Sequence, residues 1–232
     1  MDLLFPKRCI GCDDVLPAAY KKRGYCKTCA EKMVFISGRT CKLCGKMLPP
    51  GDMTLCRDCE KRENWFAAGK ALFLYEEPMK KSMYRFKYSN RRCYAKVYAD
   101  IAAVRYRLWI RDMGVQAIVP VPMFKAKEKK RGYNQAQVFA EELGRRLNLP
   151  VEGRLLLRKK NTSPQKELGN TSRNENLKNA FKMEKCGVKF DCILLVDDIY
   201  TTGATMNYAA KALSLGGIKK VVCLCVCIGS YD

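Results

Sequence analysis

The chain alternates apolar runs with amphipathic stretches from about Trp65 to its end. Four apolar runs predict strands, at residues 71–75, 117–122, 192–196 and 221–228. The last two lack the polar alternation of a half-exposed strand, which is typical of strands buried on both faces of a parallel sheet. Four helical patterns occur with these runs, at residues 79–88, 94–110, 134–147 and 206–215. This order predicts an α/β fold with a mainly parallel sheet.

Residues 155–176 are mostly polar and have no sustained periodicity. A segment of this length without a pattern predicts a long, mobile loop. A loop of this kind is suited to closing over a bound ligand.

The first 64 residues carry a different pattern, in which four C-x-x-C pairs are separated by 13, 11 and 11 residues. Two such turns place four sulfurs around one tetrahedral ion, which is the spacing of a zinc ribbon. Few apolar residues lie between the pairs, so metal affinity must supply much of the folding free energy. The predicted ligands of two structural Zn²⁺ ions are Cys9, Cys12, Cys26, Cys29, Cys41, Cys44, Cys56 and Cys59.

The spacing favours sequential pairing of these turns, although a cross-braced arrangement would use the same eight cysteines. The sequence contains no histidine, which excludes Ser-His-Asp and Cys-His catalysis and every zinc site that needs an imidazole. A closed four-cysteine shell also leaves no open position for catalysis.

The chain has 232 residues and a formal net charge of +21, which favours phosphate-rich partners but also fits a solvated, lysine-rich surface. No apolar stretch reaches the roughly 18 residues of a membrane span. The first residues lack the apolar core of a signal peptide. We therefore expect a cytoplasmic protein without a transmembrane segment.

The apolar run at 192–196 is followed by Asp197 and Asp198 and then by a threonine-rich turn into a helix. Ligands of open α/β sheets bind beyond the carboxyl ends of the strands, which is where this turn lies. Gly203 permits close backbone approach, and free amides at the helix start donate to phosphate. The predicted phosphate contacts are Thr201, Thr202, Gly203, Ala204 and Thr205. A simple threonine N-cap is the alternative, but it requires only one of these residues.

The stretch VDDIYTTGATM resembles the phosphoribosyl-pyrophosphate (PRPP) signature of type I phosphoribosyltransferases. The resemblance implies that Asp197 and Asp198 contact the ribose and that residues 201–205 bind its 5′-phosphate. It also implies Mg²⁺ on the bound PRPP and displacement of pyrophosphate at C1 of the ribose. Val119-Pro120-Val121-Pro122 and the following basic residues are similar to the pyrophosphate loop of that family.

Two further patterns resemble the ComF family of competence proteins: KKRGYNQ at residues 129–135, and the spaced Thr162, Gln165, Leu168, Arg173, Asn176, Ala180 and Phe181. Phe86-Lys87-Tyr88 fits the F-K-Y of that family. With this resemblance, we expect a double zinc-ribbon module at 1–64 and a phosphoribosyltransferase-like domain at 65–232. Arg131 is a candidate phosphate ligand, Tyr133 a candidate for stacking on a base, and Arg173 a candidate for closing over pyrophosphate.

The resemblance to the ComF family implies a role in bringing single-stranded DNA through the inner membrane beside a helicase-type motor, at the inner face of that membrane. An active phosphoribosyltransferase and a PRPP-sensing regulator are the alternatives. Residues 86–111 combine basic and aromatic side chains, as single-strand binding surfaces do. Aromatic residues at helical spacings of three and four are also typical of a core.

Overall fold

The computed structural model describes residues 6–158, 180–184 and 187–231. The front segment contains a short 3-10 turn, Ala18–Tyr20, and two short helices, α1 (Lys27–Lys32) and α2 (Arg57–Glu60). The remaining helices are α3 (Met79–Tyr88), α4 (Tyr94–Asp112), α5 (Lys125–Arg131), α6 (Gln135–Leu147) and α7 (Ala204–Leu215). The strands are β1 (Ala68–Leu74), β2 (Ala117–Pro120), β3 (Leu156–Arg158), β4 (Phe181–Met183), β5 (Cys192–Tyr200) and β6 (Lys220–Ile228).

Four strands form a parallel sheet in the order β1-β6-β5-β2, which confirms the predicted α/β fold. The four predicted strands and four predicted helices all occur, with bounds that differ by a few residues. Asn134, the first residue of the third predicted helix, is the N-cap of α6, where its side chain accepts a hydrogen bond from Ala136 N. Because β2 and β5 are neighbours, their carboxyl ends lie side by side.

Side chains of the sheet alternate between two apolar cores, one on each face. Leu194 and Val196 of β5 point into the core that contains α3, α4 and α6. Ile193 and Leu195 point into the core that contains α7 and the β3–β4 pair. Strand β5 is therefore buried on both faces, as the lack of polar alternation in its sequence predicted.

The cysteine-rich segment packs into both of these cores. Cys9 and Cys29 belong to the α4 side, together with Ile10 and Met33. Cys41, Cys44, Cys56 and Cys59 belong to the α7 side, together with Ile36 and Phe66. The front segment thus lies against both faces of the sheet.

Backbone hydrogen bonds also join the front segment to the sheet. Ile36 N donates to Leu72 O, and Leu74 N donates to Val34 O, so residues 34–36 run antiparallel along the outer side of β1. At the opposite side of the sheet, Ile118 of β2 bonds with the chain around Val151.

Part of the predicted long loop has regular structure. Leu156–Arg158 pairs antiparallel with Phe181–Met183, so the prediction of a loop was wrong for residues 156–158. A strand of three residues is too short to produce a periodic pattern, although Leu155 and Leu156 are buried. The rest of the predicted loop, 159–176, lies outside the described residues, as does Arg173.

Candidate functional site

The candidate ligand loop, residues 201–205, connects the end of β5 to the start of α7. Gly203 has φ of +79°, which suits glycine, and it is the N-cap of the twelve-residue helix. Thr201 and Thr202 are exposed, and Ala204 and Thr205 are half-buried. The Thr202 hydroxyl is 3.5 Å from Ala204 N, so it is a weak cap at most. Among the described residues, no strong side-chain cap occupies this helix start, which is the condition for its amides to serve an anion.

Asp197 and Asp198 lie near the carboxyl end of β5, a few residues before this loop. Asp198 N donates to Asp197 Oδ1 over 2.8 Å. Burial and the neighbouring Asp198 carboxylate raise the pKa of Asp197 to about 7. Asp197 therefore retains its proton to a higher pH than an exposed aspartate, and both carboxyl groups offer oxygens to hydroxyl donors.

Lys87 of α3 supplies a cation to this pair. Its Nζ lies 3.0 Å from Asp198 Oδ2, and both side chains are largely buried. The Lys87 charge also acts to lower the pKa of Asp197. The sequence placed Lys87 in the F-K-Y segment and in a basic tract, but it did not predict the pairing of Lys87 with the acids of β5.

Arg158 of β3 is a second cation near the acids. Its guanidinium lies over the Phe124 ring at 4.1 Å and over the Phe181 ring at 5.3 Å. Burial lowers the pKa of Arg158, and the Asp197 carboxylate opposes this shift. Its Nε is buried and has no hydrogen-bond partner among the described residues. Arg158 was not predicted as a site residue because it falls in the segment predicted as a loop.

Arg131 ends α5 and is held by two neighbours. Its Nη1 donates to Gln135 Oε1 over 2.6 Å, and its guanidinium lies 4.9 Å from the centre of the Tyr88 ring. Gln135 Nε2 is buried without a hydrogen-bond partner among the described residues. The exposed lysines that precede Arg131 on α5 are Lys125, Lys127, Lys129 and Lys130.

Tyr133 was expected to stack on a base, and the structure contradicts this. The Tyr133 side chain is buried, its hydroxyl donates to Phe86 O, and Arg92 covers its ring at 4.5 Å. A buried ring that is already covered has no face for a base.

Most of the aromatic residues of α4 are likewise core residues. Tyr94, Tyr98 and Tyr106 are at most 8% exposed, and each hydroxyl has a partner within the protein. The exposed aromatic residues lie on α3 instead, where Tyr84 and Tyr88 are each 62% exposed and their ring centroids are 5.1 Å apart. The helical spacing of the aromatic residues of α4 is thus that of a core-facing helix side. The accessible aromatic rings are on α3.

The eight paired cysteines form two groups in sequential pairing, as the spacing favoured. We call Cys9, Cys12, Cys26 and Cys29 cluster 1, and Cys41, Cys44, Cys56 and Cys59 cluster 2. All sulfurs of a cluster lie within 4.8 Å of one another.

The donor set and spacing fit zinc. Tetrahedral Zn–S bonds of about 2.3 Å separate sulfurs by about 3.8 Å. The Cys9 and Cys26 sulfurs are 3.8 Å apart, and those of Cys44 and Cys56 are 3.6 Å apart. Backbone amides donate to the sulfurs, as Cys56 N does to Cys41 Sγ over 3.3 Å, which favours thiolates.

A short segment after cluster 2 contacts the ligand loop. Arg62 Nη1 donates to Thr202 O, and Nη2 donates to the Tyr200 hydroxyl, each over 2.5 Å. Asn207 of α7 accepts from Trp65 N and donates to Glu63 O, each over 2.8 Å. Sequence reasoning missed Arg62 and Asn207 because neither belongs to a motif.

No helix among the described residues combines the length and the apolar character needed to cross a membrane.

A family model described as a double zinc ribbon domain matches residues 1–60. Competence protein F of Haemophilus influenzae is 32% identical over 222 residues, which is 94% of this chain and 95% of that protein. Competence protein ComFC of Bacillus subtilis is 29% identical over 197 residues, 81% of this chain and 77% of that protein. DNA utilization protein YhgH of Escherichia coli is 27% identical over 215 residues, 91% of this chain and 93% of that protein.

The similarity to competence protein F extends over nearly the full length of both chains. The chain therefore belongs to the ComF family of competence proteins.

Proposed function

We propose that the protein binds PRPP, or a closely related ribose phosphate, at the carboxyl end of β5 and handles single-stranded DNA during uptake. The observation that carries the first part is the adjacency of two carboxyl groups to an anion-binding helix start. Asp197 and Asp198 offer acceptors for ribose hydroxyls, and residues 201–205 offer amides and hydroxyls for phosphate.

The surrounding charges support an anionic ligand. Lys87 partly offsets the repulsion between Asp198 and an incoming phosphate, and Arg158 lies beside Asp197. Hard carboxylate oxygens suit Mg²⁺, which would reduce the charge of a pyrophosphate group. Arg131 and Arg173 remain the proposed cations for pyrophosphate.

The DNA role rests first on the relatives, which are named competence and DNA utilization proteins. A local surface supports it. The rings of Tyr84 and Tyr88 are exposed, and Arg131 covers part of Tyr88. Exposed aromatic rings beside cations are the usual components of a single-strand surface. We call this surface, formed by α3 and the lysines of α5, the Tyr84/Tyr88 surface.

Helix α3 contributes residues to both the Tyr84/Tyr88 surface and the proposed ribose-phosphate site. Tyr88 follows Lys87 directly in α3, and Lys87 is paired with Asp198. Helix α3 thus carries both an exposed ring of the proposed nucleic-acid surface and the cation that pairs with an acid of β5. A helicase-type motor is the partner we propose for the uptake step.

Thermal unfolding with PRPP and Mg²⁺ tests the ribose-phosphate site. A ligand that binds only the folded protein raises the melting temperature, and the stabilisation grows with the logarithm of the ratio of free ligand to Kd. We expect such a rise for the wild type and none for the Asp197→Ala/Asp198→Ala double variant. Asp191→Ala, which changes an exposed acid at the start of β5, is the matched control and should keep the rise. An unchanged melting temperature of the wild type would reject the site.

Transfer of the ribosyl group to an acceptor is a second candidate function. The observation that favours it is the pKa of Asp197 near 7, a value suited to proton transfer at neutral pH. Release of pyrophosphate from PRPP in the presence of a cell extract would identify a transferase. PRPP binding without release would identify a binding or sensing protein.

A further inference from the structure

Arg62 lies between cluster 2 and the ligand loop and contacts both. Its Nη2 is 3.8 Å from Cys59 Sγ and 2.5 Å from the Tyr200 hydroxyl. Its Nη1 donates to Thr202 O, a carbonyl of the loop itself. One guanidinium thus joins a metal-ligating sulfur to the backbone of the proposed phosphate loop.

The segment that carries Arg62 is fixed to cluster 2. Asn64 Nδ2 donates to Cys59 O over 2.7 Å, and Asn64 Oδ1 accepts from Arg62 Nε over 3.1 Å. Helix α2 has only four residues, with Cys56 as its N-cap and Cys59 within it. A helix this short is not stable by itself, so metal ligation by Cys56 and Cys59 and their packing in the α7-side core hold it in place.

The same segment is attached to the other side of the loop. Asn207, in the first turn of α7, bonds to both Glu63 O and Trp65 N. Residues 62–65 therefore hold the loop at its strand end through Arg62 and at its helix end through Asn207. The proposed phosphate ligands lie between these two attachments.

Packing beneath Gly203 shows how closely Arg62 fits the loop. A Cβ at position 203 would be 2.7 Å from Arg62 Nη2 and would also collide with the Tyr200 hydroxyl. The guanidinium and the phenol thus occupy the space on which the loop backbone rests. Displacement of Arg62 would remove this support.

The charge of a loaded cluster favours this position of Arg62. Four thiolates and one Zn²⁺ carry a net charge of about −2, which attracts a guanidinium at short range. Loss of the ion removes both this charge balance and the fixed position of α2.

We propose that Arg62 is a positioning residue through which the metal state of cluster 2 controls ribose-phosphate binding by residues 201–205. The inference rests on the proposed function, since it concerns the ligand of that same loop. It predicts that metal at cluster 2 strengthens ligand binding. By linkage, ligand must then strengthen metal binding at cluster 2.

Cluster 1 provides an internal control. Its contacts lie on the α4 side, where the Tyr94 hydroxyl donates to Cys9 O and Arg85 donates to Gly11 O. Among the described residues, no hydrogen bond joins cluster 1 to residues 201–205. Ligand should therefore leave metal release from cluster 1 unchanged.

The first experiment measures PRPP binding with Mg²⁺ by calorimetry for the zinc-loaded wild type, Arg62→Ala, Arg62→Lys and Arg39→Ala. Arg39 is the matched control, since it is an exposed arginine in the same ribbon that bonds to Met53 O. We expect at least a tenfold loss of affinity for Arg62→Ala, a smaller loss for Arg62→Lys, and none for Arg39→Ala. Zinc content of two ions per chain and a cooperative melt establish that each variant is folded.

The second experiment measures zinc release to a chromogenic chelator with and without PRPP. We expect PRPP to slow release of one of the two ions in the wild type by several-fold and to slow neither ion in Arg62→Ala. The coupling would be overturned if PRPP slowed the release of neither ion from the wild type, or slowed the release of both ions equally.

The two proposals fail in different ways. A wild type that does not bind PRPP removes the ribose-phosphate site and the coupling with it. Equal PRPP affinity of the wild type and a folded, zinc-loaded Arg62→Ala removes only the coupling and leaves the site standing.

Discussion

Lys87 of α3 and Asp198 of β5 form an ion pair with 3.0 Å between Nζ and Oδ2, at the point where the sheet ends and the ligand loop begins. The pair joins the F-K-Y segment to the acid pair of the PRPP signature, although the two motifs are far apart in the chain. It is largely buried, so its partners are not replaced readily by water.

Lys87→Gln should lower the free energy of unfolding by about 1–3 kcal/mol, because the Asp198 carboxylate would lose its buried cation. Chemical denaturation at neutral pH measures this loss. Lys81→Gln removes the same charge from an exposed position of the same helix, and its effect should stay within about 0.5 kcal/mol. Equal losses for the two variants would contradict the role of Lys87.

The free energy of unfolding should depend on pH through the raised pKa of Asp197. Its pKa is about 7 in the folded state and close to the ordinary value of 3.8 when the chain is unfolded. Between about pH 4 and 7 the folded state retains a proton that the unfolded state has lost. The free energy of unfolding should therefore fall as pH rises through this window, by at most about 1.4 kcal/mol per pH unit.

Asp197→Asn removes this ionisation and should be more stable than the wild type at pH 8, with a difference that shrinks toward pH 4. Denaturant titrations across this range give the comparison. Asp191→Asn, an exposed acid at the start of β5, should show no comparable gain at high pH. A gain of Asp197→Asn that is independent of pH would argue against a raised pKa.

Gly203→Ala should destabilise the protein and weaken PRPP binding. The φ of +79° disfavours any Cβ, and the added methyl group would collide with Tyr200 and Arg62. Gly217→Ala is the control, since Gly217 also has positive φ but nothing lies within 4 Å of its added Cβ. We expect Gly203→Ala to cost about 1–3 kcal/mol more than Gly217→Ala. Similar costs would indicate that the backbone angle alone sets the requirement for glycine.

Cys44→Ser should reduce bound zinc from two ions to one and destabilise the fold on the order of 4 kcal/mol, since cluster 2 is part of the α7-side core. Metal analysis and thermal unfolding test both effects. Cys93→Ser changes an exposed cysteine outside both clusters and should retain two zinc ions. Full zinc content in Cys44→Ser would contradict the assignment of its ligands.

Replacement of Tyr84 and Tyr88 by alanine should weaken binding of a single-stranded oligonucleotide by about 1–3 kcal/mol for each base that loses its stacking partner. The melting temperature should change little, because both rings are exposed. Val104→Ala with Leu108→Ala removes exposed apolar side chains from α4 and should not affect binding. Fluorescence anisotropy at two salt concentrations measures the affinities. A wild-type affinity that is the same at both salt concentrations would contradict binding by a basic surface.

Local sequence patterns predicted those parts of the structure that are specified by residues close together in the chain. The buried run before Asp197, the turn at Gly203 and the four cysteine pairs each specify their own geometry within a few residues. The order of strands and helices then indicated the parallel sheet. These features needed no knowledge of which distant residues meet.

Local patterns did not predict features that depend on tertiary packing. The aromatic residues of α4 fit both a core and a binding surface, and only the position of α4 against the sheet decides for the core. Strand β3 is too short to be recognised without its partner β4. Lys87 meets Asp198, Arg158 lies beside Asp197, and Arg62 contacts Thr202 because separate elements come together at one end of the sheet.

Residues 34–36 connect the two clusters and hydrogen-bond along β1, which is otherwise an edge strand. An uncovered edge presents free N–H and C=O groups that can pair with a strand of another molecule. Because a metal-ligating turn lies on each side of this segment, loss of zinc would release it and uncover β1. Zinc depletion is therefore expected to cause aggregation through strand pairing, so the cysteines protect the solubility of the protein as well as its fold.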